Sequence, residues 1–525
     1  MKSLFKNRFL VALLTVGLVV PFNSCTDLEP EVFSDLTEAN FPSSAADLES
    51  AYLAAYAVLY DYPGHGGYFM TQETSSDEMM VPQRGSDWFD GGIWLRTNRG
   101  TFNANDPQYD RIWGELYRGA LQANALIGTL ATFEDIDEAR KATIIGELRS
   151  LRAYLYYALT DAFGNVPLIT EESDATNLEP APASRADIYA FVLSELDAVA
   201  GDLSREADGS TYGKINYWTN RALKARFLLN SEVMTGTARW AEAEETLAEI
   251  INDGPYELTD DYFANFDEDN DNGLQGTSEN MWVIPFDEPS VASGFNLVQS
   301  TLHYGSQQTF NLQAQPWNGY CTLQEFYESY DDDDVRKGEF GNQQVRGNFL
   351  AGPQFAADGV TPITDGSADD PGGLEVVFTP EVNEFEPQAY REAGARIFKF
   401  NFPQGAPTDL PNDYPLARYG EVLLNMAEAK LRQGEGDAVM FVNMIRNRAG
   451  LDDLDSGDLD LDELLAERGR ELFYEGLRRQ DLIRFGAFQR QWFGRTAPAP
   501  DASNLFPIPQ PQLNANSNLV QNPGY

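Results

Sequence analysis

A pair of amphipathic helices joined by a short glycine turn most constrains what this chain can fold into. Over 415–431, Leu416, Tyr419, Val422, Leu423 and Met426 fall on one helical face, with Pro415 suited to the first turn and Gly434 just past the end. A second helix follows over 437–448, with Ala438, Phe441, Val442 and Ile445 inward and Gly450 as its stop. The layout occurs twice. Leu228-Leu229-Asn230, a turn around Gly236 and a helix ending at Gly254 parallel Leu423-Leu424-Asn425, the turn around Gly434 and the helix ending at Gly450. A single hairpin of this kind buries its apolar face only by stacking on another, so the repetition predicts a layered scaffold of the tetratricopeptide type. Two further helices are expected: 139–163, with Ile144, Leu148, Leu151, Leu155 and Leu159 in register, and 187–199, with Ile188, Phe191, Val192 and Leu196 on one side.

Between about 256 and 412 the pattern breaks. Gly, Pro, Asn and Asp become dense and aromatic residues lose helical period, most strongly over 351–390. The segment 60–100, with Gly64, Gly66, Gly67, Gly85, Gly91 and Gly92, has the same character. Long irregular stretches in a compact protein usually carry function. The expected fold is therefore mainly α, a helical-hairpin scaffold with two large loop regions and a little β structure.

Charge and scarce residues narrow the chemistry. With 82 acidic against 37 basic residues the net charge is −45, which repels phosphate backbones and argues against a nucleic-acid partner. The same excess predicts a surface favoured by high salt and points to a salt-loving source. Two His, His65 and His303, lie far apart in loop-like sequence, so histidine-based catalysis or a two-His metal site is not expected. Of the two Cys, Cys25 is accounted for below, leaving Cys321 a lone thiol that we read as a small buried hydrophobe. One metal pattern stands out: Glu268-Asp269-Asn270-Asp271-Asn272-Gly273 running to Glu279 approximates an EF-hand loop, with Glu in place of the first Asp. It leaves calcium as the one cofactor to consider.

The amino terminus reads as an address. Lys2, Lys6 and Arg8 precede an apolar run from Phe9 to Phe22, shorter than the roughly 20 residues a membrane span needs. Phe22-Asn23-Ser24-Cys25 resembles a bacterial lipobox, so 1–24 is expected to be a lipoprotein signal peptide and Cys25 the lipidated residue. The acidic Thr26-Asp27-Leu28-Glu29 resembles a surface-export signal.

The resemblance becomes specific near the carboxyl end. Arg418-Tyr419-Gly420-Glu421-Val422-Leu423-Leu424, Asn443-Met444-Ile445-Arg446-Asn447-Arg448-Ala449-Gly450-Leu451, Glu467-Arg468-Gly469-Arg470-Glu471-Leu472 and Glu475-Gly476-Leu477-Arg478-Arg479-Gln480-Asp481-Leu482-Ile483-Arg484 resemble motifs of the SusD/RagB family. So do Phe506-Pro507-Ile508-Pro509, the terminal Gln521-Asn522-Pro523-Gly524-Tyr525, Glu147-Leu148-Arg149-Ser150-Leu151-Arg152-Ala153, and Phe163-Gly164-Asn165-Val166-Pro167-Leu168. Alternating charges at Arg468, Arg470, Glu471, Glu475, Arg478 and Asp481 suit ion pairs that lock helices together rather than catalysis.

The resemblance implies a single unit over 25–525: a helical part to about 255, a loop-rich ligand region over about 256–412 and a helical part from about 413. It implies a surface-exposed outer-membrane lipoprotein that captures an oligo- or polysaccharide for a SusC-like TonB-dependent transporter, with no enzymatic turnover. A sugar ring calls for aromatic faces flanked by polar groups. Carried over by region, the candidate ligand residues are Trp88, Trp94, Tyr304 and Trp317, with Asp77, Arg84 and Tyr320 beside them. Two alternatives stay open: peptide cargo, as in the RagB branch, and an extracellular glycoside hydrolase, for which two carboxylates would suffice.

Overall fold

The computed structural model describes residues 45–270, 278–286, 294–365 and 373–525. The expected signal peptide, Cys25 and the centre of the calcium-like loop (Asp271, Asn272, Gly273) lie outside the described residues. Residues Glu49–Tyr525 group by their contacts into one unit.

The scaffold helices are α1 (Pro107–Leu130), α2 (Glu138–Phe163), α3 (Arg185–Val199), α4 (Tyr217–Leu229), α5 (Trp240–Asp253), α6 (Tyr419–Gln433), α7 (Ala438–Arg448), α8 (Leu461–Leu472) and α9 (Arg478–Arg484). They pack in succession, α1 on α2, α2 on α3, α4 on α5, α5 on α6 and α6 on both α7 and α8. Both hairpins read from the repeat are present, α4–α5 and α6–α7, and α5 packs against α6, so the two stack as layers. Local chemistry sets the boundaries. Asp137 accepts from the Ala139 and Arg140 N–H groups at the start of α2, Ser184 accepts from Asp187 N–H at α3, and Asn216 accepts from Thr219 N–H at α4. Gly434 closes α6 at φ +79°, a left-handed cap that glycine adopts without steric cost.

The core runs through α2, where Ile144, Leu148, Leu151, Leu155 and Leu159 are all fully buried. At about 1.5–3 kcal/mol per buried Leu or Ile, this face alone contributes heavily to the folded state. Tyr157 of α2 stacks on Phe227 of α4 at 3.8 Å between ring centroids, joining the first layers to the next.

Besides the short helices Tyr68–Thr74 and Ile93–Arg99 inside the segment expected to be loop, the structure departs from the sequence reading at two further elements. Pro415 and Leu416 do not open α6. Tyr414–Arg418 is a strand, paired antiparallel with Asn280–Ile284 in a two-stranded ribbon whose register slips between Pro415 and Ala417. Both strands of such a ribbon are edges, where a residue without an N–H is tolerated. The second departure is α1, a long helix absent from the sequence reading. It begins with Pro107 in its first turn and buries Ile112, Leu116, Ala120, Ala123, Ile127 and Leu130.

The charged motifs form a buried lattice. Arg418 meets Glu279 and Glu471 at 2.6 Å and Glu475 at 2.8 Å. Arg336 reaches Asp334, Glu467 and Glu471 at 2.7, 2.8 and 3.0 Å. Arg468 and Arg484 share Asp481, each at 2.7 Å. Burial pushes the Glu471 carboxyl up, but Arg448, Arg418 and Arg336 together overcome it and hold it well below the usual carboxylate range. The lattice also engages the last residue of the calcium-like pattern. Glu279 is fully buried, and its oxygens are taken by Arg418, Arg448 at 2.7 Å and Thr259 Oγ1 at 2.8 Å, so the closing ligand of the loop faces cations of the chain itself.

Candidate carbohydrate-binding site

The two loop regions meet. Strand Met79–Met80 pairs with Cys321–Thr322, which brings the segment carrying Trp88 and Trp94 beside the segment carrying Trp317 and Tyr320. Backbone crowding draws them in. A Cβ on Gly64 would stand 2.4 Å from the Gly294 carbonyl oxygen, so only glycine permits that approach. Gly319 is equally constrained: the Trp88 ring lies where its Cβ would be, 2.3 Å from Trp88 Cζ2.

His65 is the hub of the resulting cluster. Its ring centre is 5.4 Å from those of Trp88 and Trp94 and 5.8 Å from those of Trp317 and Tyr320. Nδ1 is 2.8 Å from the Tyr320 hydroxyl, and the backbone N–H donates to Asn296 Oδ1 at 3.0 Å. Burial lowers the His65 pKa, favouring the uncharged ring that packs between the indoles. Trp88, at φ +61°, donates from Nε1 to the Trp317 carbonyl at 2.8 Å. Trp94 donates to Asp90 at 2.8 Å. Trp94 and Tyr320 are buried and form the back layer, whereas Trp88 is half-buried and Trp317, 36% exposed, presents its ring to solvent.

Beside this platform opens a polar cleft of about 680 Å³, lined among others by Asp87, His303, Tyr304, Gln308, Asp365 and Arg391. The Tyr304 hydroxyl donates to Asp87 at 2.6 Å, and burial together with that carboxylate raises the phenol pKa. Arg391 stands 3.8 Å from both Asp87 and Asp365 and lies over the Tyr304 ring at 5.8 Å. Burial, with the positive field of Arg396, Arg84 and Arg391, drives His303 down to about 3, so it is neutral. Its Nδ1 accepts from the Gly305 N–H at 3.0 Å. Aromatic faces next to hydroxyl, carboxylate, amide and guanidinium groups form the arrangement a sugar ring requires, a flat apolar face with hydrogen-bonding edges.

Of the residues chosen from sequence, Trp88, Trp94, Trp317 and Tyr320 gather in the platform and Tyr304 in the adjoining cleft. Arg84 is buried beneath them, donating to backbone carbonyls of Asn318 and Ala393. Asp77 lies elsewhere, in a bidentate pair with Arg478 at 2.7 and 2.9 Å. Cys321 is buried, as read from the sequence. Nothing in the sequence marks His65 as a hub, or Asp87, Asp365 and Arg391 as cleft residues, before the fold is known. For Asp87 the one local hint is its neighbour Trp88, whereas Arg391 and Asp365 reach the cleft only through long-range folding.

The SusD family profile matches residues 263–525, and a second profile, described as starch-binding associating with outer membrane, matches residues 33–241. The chain belongs to the SusD family. The starch-binding protein SusD of Bacteroides thetaiotaomicron is 27% identical over 426 residues, 75% of this chain and 74% of that protein. SusD-like protein P2 of Formosa agariphila is 24% identical over 547 residues, spanning 99% of both chains. Among solved structures, surface glycan-binding protein A from Bacteroides thetaiotaomicron in complex with laminarihexaose superposes with a TM-score of 0.71 at 22% identity, covering 91% of this chain and all of that one. A SusD superfamily protein from Parabacteroides distasonis gives 0.73 at 21% identity over 94% of this chain. These likenesses place the helical scaffold among SusD-like folds.

Proposed function

We propose that this protein is a surface glycan-binding lipoprotein of the outer membrane, anchored through Cys25, that captures an oligo- or polysaccharide without turning it over and passes it to a SusC-like TonB-dependent transporter. The observation that carries the reading is the Trp88–Trp317 platform, backed by Trp94, Tyr320 and His65 and opening onto a cleft rimmed by Tyr304, Asp87, Asp365 and Arg391. The binding names of the relatives support it, starch for one and laminarihexaose for another.

The test uses soluble protein starting at Thr26, in molar salt, run through native gels that each contain one polysaccharide. Retardation by a glycan is expected, with a loss of ten-fold or more in affinity for Trp88→Ala and for Trp317→Ala while far-UV circular dichroism is unchanged. Absence of retardation across neutral and acidic glycans would reject the sugar reading in favour of peptide cargo. Release of reducing ends would make the protein a hydrolase instead. The anchor is tested separately, by membrane partitioning of the full chain against Cys25→Ala.

A further inference from the structure

Four buried arginines, Arg84, Arg396, Arg479 and Arg495, lack an ion-pair partner among the described residues, and two of them, Arg84 and Arg396, lie together beneath the site. In the scaffold, Arg336, Arg418, Arg468 and Arg484 each meet carboxylates. Arg84 and Arg396, 2% and 0% exposed, donate to backbone carbonyls and one amide, with the Cys321 sulfur 3.9 Å from Arg84 Nη2 and the Phe378 ring 4.5 Å from the Arg396 guanidinium. Arg84 donates from Nε to the Asn318 carbonyl at 3.1 Å, from Nη2 to the Ala393 carbonyl at 3.0 Å, and from Nη1 to the Tyr390 carbonyl. Arg396 donates from Nη1 to the Ala393 carbonyl at 2.8 Å and to that of Gly394. From Nη2 it reaches Asn318 Oδ1 at 2.9 Å and the Arg391 carbonyl at 2.7 Å. The two cations therefore share Ala393 and both grip Asn318, itself left-handed at φ +58° and donating to the Arg391 carbonyl at 2.9 Å.

This arrangement is costly. Burial, with the repulsion of Arg84, pulls Arg396 down to about 9, and a buried charge without a counter-charge is normally destabilising. The offset comes from carbonyl dipoles that converge only while residues 390–394 hold this conformation. Loop shape and cation solvation are thus one coupled state. The segments so fixed are those that carry the ligand face: Arg84 precedes Trp88, Asn318 follows Trp317, and 390–394 carries Arg391. Arginine suits the task because its planar fork addresses several acceptors at once, which a lysine ammonium does not do in the same geometry.

We propose that Arg84 and Arg396 are positioning residues of the ligand face, setting the Trp88–Trp317 platform and the Arg391 rim at a fixed separation without touching the ligand. The proposal rests on the glycan reading above. Arg479, which grips the Ser503 and Asn504 carbonyls in the carboxyl-terminal segment, supplies a control of the same kind that does not bear on the face.

The experiment compares Arg84→Lys, Arg396→Lys and Arg479→Lys with the wild-type chain by affinity gels, thermal melting, tryptophan emission and amide hydrogen exchange. Arg84→Lys and Arg396→Lys are expected to weaken glycan binding at least ten-fold, shift the tryptophan emission and accelerate exchange over 316–320 and 388–396. The double variant should lose little more than either single one, because the two side chains share acceptors. Arg479→Lys should lower the melting temperature and leave binding intact. Wild-type affinity and exchange in both Arg84→Lys and Arg396→Lys would overturn the proposal, as would an equal loss of affinity in Arg479→Lys. If the wild-type chain binds no glycan, the glycan reading fails, and emission and exchange still decide the positioning role. If the variants do not fold, wild-type exchange decides: protection of 388–396 comparable to α2 supports it, and exchange as fast as the exposed 171–179 loop overturns it.

Discussion

The pair Glu73 and Glu78 shows how single residues set the chemistry of this core. Both are buried, on either side of the turn that leaves helix Tyr68–Thr74. Glu73 Oε1 accepts from the Gly476 N–H at 2.5 Å and Glu78 Oε2 from that of Tyr474 at 3.4 Å. Burial raises Glu73 to about 7 and Glu78 further, and the pair titrates as a unit. Since the folded pKa lies above the ordinary 4.5, the folded state holds more protons than the unfolded one between the two values. The contribution is complete below about 4.5 and is lost as pH rises through about 7. Unfolding free energy measured in urea should therefore fall from about pH 5 to about pH 8, and Glu73→Gln should flatten that slope. Glu471 behaves oppositely. Its removal leaves Arg418, Arg448 and Arg336 partly uncompensated, so Glu471→Ala should cost about 3–5 kcal/mol in the same titration or abolish folding. The site was legible at this scale where a residue type announces its use: tryptophans in glycine-rich loops pointed to the platform. Arg84 looked like a ligand contact because sequence gives no sign of burial, and Asp77 because nothing local reveals Arg478 waiting across the fold.

At the scale of elements, helix ends were more legible than helix starts. Gly434 ends α6 and Gly236 the short helix Ser231–Thr235, both in the left-handed region at φ +79° and +76°, as glycine before a new amphipathic run suggests. Because a Cβ at Gly434 would meet nothing within 4 Å, replacing it isolates the backbone term. Gly434→Ala should cost about 1 kcal/mol, read as a lower urea midpoint with an unchanged slope. The start of α6 was misread because Pro415 before an apolar run fits a first helical turn and an edge strand equally well. Tertiary structure decides it: the Tyr419 N–H donates to the Glu279 carbonyl at 2.9 Å, and Arg418 must extend to reach Glu279, Glu471 and Glu475. Helix α1 is hard to read from sequence although its signals are regular, with Pro107 at the start and apolar residues every three or four positions to Leu130. The polar residues among them, Gln108, Glu115 and Asn124, are buried as well and blur the stripe.

For the whole molecule, composition understates how acidic the surface is. Of 37 basic residues against 82 acidic, several of the former are sequestered: Arg84, Arg336, Arg396, Arg418, Arg468 and Arg479 are all at most 2% exposed. Their buried partners, such as Glu279, Glu467, Glu471 and Asp481, account for only part of the acidic excess, so most carboxylates repel one another across the exterior. Screening treats the two populations differently. Raising salt from 0.1 M to 1 M shortens the Debye length from about 10 Å to about 3 Å, which relieves surface repulsion and hardly touches pairs at hydrogen-bond distance in the core. The melting temperature should therefore rise between low and molar sodium chloride, and rise equally in potassium chloride, since charge rather than ion identity does the screening. A midpoint that stays level would mean that the exterior charge is already accommodated at low salt. Affinity for a neutral glycan should not follow the same curve, because stacking on Trp88 and Trp317 involves no net charge. A binding constant that weakens with salt would instead point to an anionic substituent on the ligand, and Arg391→Gln would test whether this guanidinium meets it.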